Sequence, residues 1–195
     1  MHRITSTSLI LLTGVMLTTP TLAAPLELSQ RPARLSREPA PNVIVSVGNA
    51  SSLGDTDLKV LKNGLRTAFS GQRLDDGRIR LAWQAMHGCR GLPGNAAACH
   101  GHNAMRRLEG EHRQRFLAWV DGLDIGRGSP SHGLMDAAGQ YLSATHLGIH
   151  SPWNADPGRQ AEPVLACRTS HHLLLSDGVW SNASTKGVDT AGPDH

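Results

Sequence analysis

Few residues in this chain have types and spacing that can do chemistry. Ser52, Ser129 and Asp177 each lie in or beside a glycine-containing turn, the latter two at Gly128-Ser129-Pro130 and Asp177-Gly178. A serine hydroxyl with one of the 11 histidines and Asp177 is the raw material of a hydrolase triad, but the G-x-S-x-G elbow that would expose such a serine does not occur. A second chemistry is metal binding by the histidine-rich pieces His100-x-His102, His112 and His171-His172. Each candidate also has a structural reading. Ser52 and Ser129 suit turns and helix caps, and Asp177 suits a turn closed by Gly178. Alternation along a strand would bury one of His171 and His172 and expose the other, and His100 and His102 read as solvated loop residues.

The cysteines are read through the compartment. His2 and Arg3 precede an apolar run from Leu9 to Leu17, and small residues at Ala23 and Ala24 come before Pro25. This reads as a cleaved secretory signal over residues 1–23, the run being about half the length of a membrane span. No later segment has the apolar length to cross a bilayer. In an exported protein, Cys89 and Cys99, which flank a Gly/Pro/Ala-rich stretch, read as a disulfide closing a loop. A zinc site with His100 and His102 is the competing reading, although the spacing matches no common finger or ribbon. Cys167 is left over, which suggests a partner in another chain or in sequence not present here.

The elements that must position these residues follow from periodicity. Residues 24–41, with Pro25, Pro32, Pro39 and Pro41, read as an extended leader. Asn42 to Val47 is a continuous β-branched run, as in a strand buried on both faces. A helix is expected from about Thr56 to Phe69, capped by Asp55 or Thr56, with Leu58, Leu61, Leu65, Ala68 and Phe69 on one face. After the Asp75-Asp76-Gly77 turn, Ile79, Leu81 and Trp83 alternate with Arg80 and Ala82 as a second strand would. Helices are expected over Leu108–Leu123, striped by Phe116, Leu117, Val120 and Leu123, and over His132–His146, striped by Leu134, Met135, Ala138, Tyr141 and Leu142. Residues 147–166 read as loop, and His171 to Ser176 as a further buried strand. This alternation is the grammar of an open α/β sheet, whose ligand sites lie past the C-terminal ends of parallel strands. The loops in that position are Gly48–Leu53, Gly128–His132 and Asp177–Trp180.

Three stretches resemble the N-terminal von Willebrand factor A-type domain of the PilY family, proteins associated with the type IV pilus tip. They are LSQRPARLSREPAPNVIVSVGNASSL at 28–53, FLAWVDGLDIGRGSPSHGLMDAAGQYL at 116–142, and CRTSHHLLLSDGVWSN at 167–182. The resemblance implies a Rossmann-like fold over residues 42–195, incomplete at its C-terminus, since such sheets continue through further strands and the family carries a large C-terminal β-propeller. It also implies a metal-ion-dependent adhesion site built from a D-x-S-x-S loop, a Gly-Thr-Pro turn and a Thr-Asp-Gly-x-Trp strand end. Carried over residue by residue, the first Asp falls on Gly48 and the first Ser on Ala50. The second Ser is Ser52, the Thr becomes Ser129, and the last Asp is Asp177. One carboxylate and two hydroxyls give a hard divalent cation little to replace its water shell, so Mg²⁺ or Ca²⁺ binding is expected to be weak or absent.

Composition narrows the function classes. With 19 Lys+Arg against 16 Asp+Glu, a net charge of +3 and no dense basic run, a nucleic-acid partner is not expected. The reading that results is a non-enzymatic adhesion or pilus-assembly protein, exported to the periplasm, pilus or cell surface of a bacterium. It works by contact with minor pilins or a surface receptor and needs no cofactor. An exported histidine-rich metal-binding protein and, behind it, an exported hydrolase are the alternatives.

Overall fold

A computed structural model describes residues 39–89, 91–92, 99, 102–127, 131–144 and 146–178. The proposed signal and most of the leader therefore lie outside the described residues. Four strands, β1 (Asn42–Val47), β2 (Arg80–Ala85), β3 (Arg106–Arg107) and β4 (Ser170–Leu175), form one mixed sheet in the order β3-β2-β1-β4. β1 lies parallel to both β2 and β4, and β3 runs antiparallel to β2. Among the described residues, three α-helices flank it: α1 (Gly54–Phe69), α2 (Gly110–Asp121) and α3 (His132–Ser143). The arrangement is α/β and compatible with a Rossmann-like fold.

β1 and β2 form because their alternate residues feed two cores. Val45, Val47, Leu81, Trp83 and Ala85 pack on one face with Leu58, Leu65 and Phe69 of α1 and Phe116, Trp119 and Val120 of α2. Ile44 and Ala82 point the other way, to Met105 and to Ala138 and Tyr141 of α3. Trp83 sits at the centre of an aromatic group, 5.5 Å from Phe116 and 4.8 Å from the His112 ring. Removing it should leave a cavity costing about 3–5 kcal/mol. His112 closes the group by donating from Nε2 to the Leu81 carbonyl at 2.8 Å, and burial lowers its pKa to about 4, so the ring is neutral. Arg113 beside it ties α2 to the segment after α1, donating to the carbonyls of Phe69 at 2.6 Å and Leu74 at 2.8 Å and to Asp76 at 2.8 Å.

Several expectations are corrected. α1 begins at Gly54, continuing a 3₁₀ turn over Ser51–Leu53, with no side-chain cap from Asp55 or Thr56. Ala68 is exposed, because the buried stripe runs through Leu58, Leu65 and Phe69. β2 is buried on both faces rather than alternating, and extends to Ala85. β3 was not anticipated, its two arginines carrying no apolar pattern. β4 is not a buried strand. It forms the edge of the described sheet, and His171, His172 and Leu173 are all exposed, Leu173 by 41%. The segment between α3 and β4 contains a 3₁₀ turn at Gly148–His150, a bridge between Asn154 and Val164, and a cis Glu162–Pro163 bond.

Candidate functional site

The C-terminal ends of β1 and β4 lie side by side, with Val47 paired to Leu175 and the Gly48 amide donating to the Leu175 carbonyl at 2.7 Å. Gly48 therefore faces the exit of β4 directly. A Cβ placed on it would stand 3.4 Å from Ser176 Cβ and 3.4 Å from the hydroxyl of Ser131, the residue that opens α3. Three segments meet here, as the ends of parallel strands in an open α/β sheet should.

Of the three residues proposed from the sequence, Ser52 lies in the 3₁₀ turn after β1 and Asp177 two residues past β4. Both are exposed, and both belong to the same end of the sheet. Ser129 lies outside the described residues. Ser131, two positions further on, is 1% exposed and is the hydroxyl the fold holds against Gly48. At the position where a carboxylate would anchor a cation there is only backbone, and the next position, Ala50, is buried without a donor atom. The described side chains do not fit a tight divalent-cation site.

Asn49, between those two positions, is fully committed to holding the loops. Its side-chain amide donates to the carbonyls of His87 and Asp124, and its oxygen accepts from the His87 amide at 2.9 Å. The Gly126 amide donates to its carbonyl at 2.9 Å, and Ala50 bridges to Gly126. Asn49 thus braces the first loop against the ends of β2 and α2 instead of pointing into the hollow. A Cβ on Gly126 would overlap the His87 ring, so any larger residue there would have to displace it.

Below the loops the sheet carries a polar row on its α3 face that sequence reasoning missed. Ser46, Gln84 and His172 occupy neighbouring strands, and Gln84 donates to Ser46 Oγ at 2.9 Å and to the Leu134 carbonyl at 2.7 Å. His172 Nε2 lies 2.8 Å from the same hydroxyl. Although His172 is exposed as a residue, its Nε2 end is tucked against the sheet, and burial lowers its pKa. The Ser46 hydroxyl thus joins the Gln84 amide and the His172 ring in one hydrogen-bonded row. Both histidines of the pair are exposed, against the expectation of one in and one out. The signal was available: Ser46, Gln84 and His172 are polar residues inside apolar strand runs at positions that share one face.

This Ser–His contact is not hydrolase machinery. Ser46 is 0% exposed in the middle of the sheet, where no substrate can meet its oxygen. For the metal-binding alternative, no group of three or more His, Cys, Asp or Glu converges among the described residues. His112 is buried in the aromatic core, and His100 lies outside the described residues. Cys89 and Cys99 are joined in a disulfide with their Cα atoms 4.9 Å apart, and Cys167 is free and exposed. Among the described residues, no helix is long and apolar enough to cross a membrane.

Comparison with known proteins gives sequence relatives only. No family model matches the chain, and no solved structure does. The chain is 35% identical over 105 residues to the type IV pilus biogenesis factor PilY1 of Pseudomonas aeruginosa strain PAK, an alignment covering 54% of this chain and 9% of that protein. PilY1 of strain PAO1 is 33% identical over 108 residues, again 54% of this chain and 9% of the relative. That of strain UCBPP-PA14 is 26% identical over 103 residues. The chain therefore spans about a tenth of the length of these relatives. The similarity supports a relationship to the PilY family.

Proposed function

We propose that this chain is a type IV pilus-associated adhesion or assembly module that acts by protein–protein contact and catalyses no reaction. The observation that carries the reading is the similarity to PilY1 over about half of the chain. The geometry is consistent with it: an open α/β sheet gathers the ends of β1 and β4 and the start of α3 around Gly48, giving a surface of loops braced from beneath. The fold is of the von Willebrand factor A type, and the hollow near Ser52, Ser129 and Asp177 is a degenerate metal-ion-dependent adhesion site. With Gly48 and Ala50 in place of a carboxylate and a hydroxyl, Asp177 remains as the sole anionic ligand, and Mg²⁺ or Ca²⁺ binds weakly if at all. Contact is then made by the loops themselves. The partners are minor pilins or a surface receptor, and the chain reaches them by export, where the Cys89–Cys99 disulfide persists.

Surface plasmon resonance of the full chain against purified minor pilins tests the proposal. Saturable binding that is unchanged by EDTA is expected. Absence of binding to every minor pilin contradicts the pilus role, and binding abolished by EDTA contradicts the degenerate-site reading while leaving the partner intact.

A further inference from the structure

The opposite end of the sheet, where the strands begin, is crowded with guanidinium groups. Arg80 opens β2 and is 0% exposed, and its Nε and both terminal nitrogens have no hydrogen-bond partner among the described residues. Arg168, just before β4, is 6% exposed. Its guanidinium donates to the Ala40 carbonyl at 2.6 Å, and its Nε is likewise buried without a partner among the described residues. Register sets Arg107 directly beside Arg80 on β3, and Asn42 on its other side.

A buried cation persists only when paired, since its desolvation costs several kcal/mol. Among the described residues no carboxylate pairs with Arg80. Asp156 is the carboxylate within electrostatic range, yet it leans toward Arg159 at 3.9 Å. Tyr141 accepts from the Met105 amide at 3.0 Å and donates to the His150 carbonyl at 2.8 Å. The Asn42 amide donates to the Pro152 carbonyl at 3.0 Å, and its oxygen is unpartnered too. Burial first, and repulsion from Arg168 second, lower the pKa of Arg80 to about 9, which leaves it charged at neutral pH.

We infer that the N-terminal end of the sheet binds a doubly charged tetrahedral oxyanion of the sulfate or phosphate class, held between Arg80 and Arg168. Two buried guanidiniums call for two negative charges, and their forked donors match the oxygens of such an ion. The ion must be small. Arg80 has no exposed surface for a peptide to reach, and entry requires local opening around it, for example where the Pro152 carbonyl accepts from Asn42. The site lies away from the Gly48 loops and does not depend on the pilus reading.

The test is thermal unfolding of the full chain at constant ionic strength, with sodium sulfate or sodium phosphate replacing sodium chloride. A saturable rise in Tm of about 3 °C or more is expected with either dianion, and less than about a third of it with acetate. Arg80→Met should abolish the rise and, having lost an unpaired buried charge, should melt above the wild type in chloride alone. Equal Tm in sulfate and chloride, an equal effect of acetate, or an Arg80→Met variant that still responds overturns the inference. Should Arg80→Met fail to fold, calorimetric titration of sulfate into wild type and Arg168→Gln decides. Binding at least about fivefold weaker in the variant supports the site, and no heat with the wild type overturns it.

Discussion

His112 shows how one buried residue sets the response of this fold to pH. Burial lowers its pKa from 6.5 to about 4, while its Nε2 proton is held by the Leu81 carbonyl. As pH falls, the unfolded chain takes up the proton first. The stabilisation is therefore complete above about pH 6.5 and is lost progressively toward pH 4, with no further change below both values. A shift of this size corresponds to about 3 kcal/mol. Urea unfolding at pH 7 and pH 4.5 should show the midpoint falling, and His112→Gln should shrink that fall. It should not remove it, because His172 is lowered in the same direction by burial of its Nε2 end. At the same scale, the proposed degenerate site has Gly48 and Ala50 where a carboxylate and a hydroxyl would hold a cation. The space at Gly48 admits a Cβ at 3.4 Å contacts. Gly48→Asp combined with Ala50→Ser should therefore raise Mg²⁺ affinity by about tenfold or more, measured by isothermal titration. Unchanged affinity would place the cradle elsewhere. Asn49→Ala should cost about 2–3 kcal/mol in urea unfolding by stripping the brace from the His87 and Asp124 backbone.

At the scale of elements, β4 is the exposed liability. It is paired on one side only among the described residues, and Leu173 is 41% exposed along it. Unpaired apolar edges recruit other strands. Leu173→Lys should raise the concentration at which light scattering detects self-association, with the unfolding midpoint within about 0.5 kcal/mol of wild type; unchanged association would show that another surface governs it. β4 also marks where the sequence stops being informative. Its bounds were legible because Leu173, Leu174 and Leu175 form an apolar run, but the same run reads identically in a central strand and at an edge. β1 was legible throughout, its β-branched residues having one stable arrangement. β3 was not, because Arg106 and Arg107 are a strand only through pairing with Leu81 and Arg80. Of the candidate site, the loops after β1 and β4 were placed by pattern alone. Ser46 and Gln84 were missed, and His172 was read only as a metal-ligand candidate, because polar residues inside apolar runs need a register before they can be seen to share a face; Ser131 lay in the loop singled out, where Ser129 was chosen instead.

For the whole molecule, the proposed function has loops at one end of an open α/β sheet meet a pilus protein without the help of a cation or a reaction. In-cell photocrosslinking measures this most directly. A photoreactive residue is placed at Ser52 or Asp177 on the loop end, and at Val60 on α1, which is 67% exposed, as a control. Adducts with pilin-class proteins are expected from Ser52 and Asp177, persisting in EDTA, and none from Val60. Absence of adducts from the loop positions, or equal yield from Val60, would contradict the proposed function.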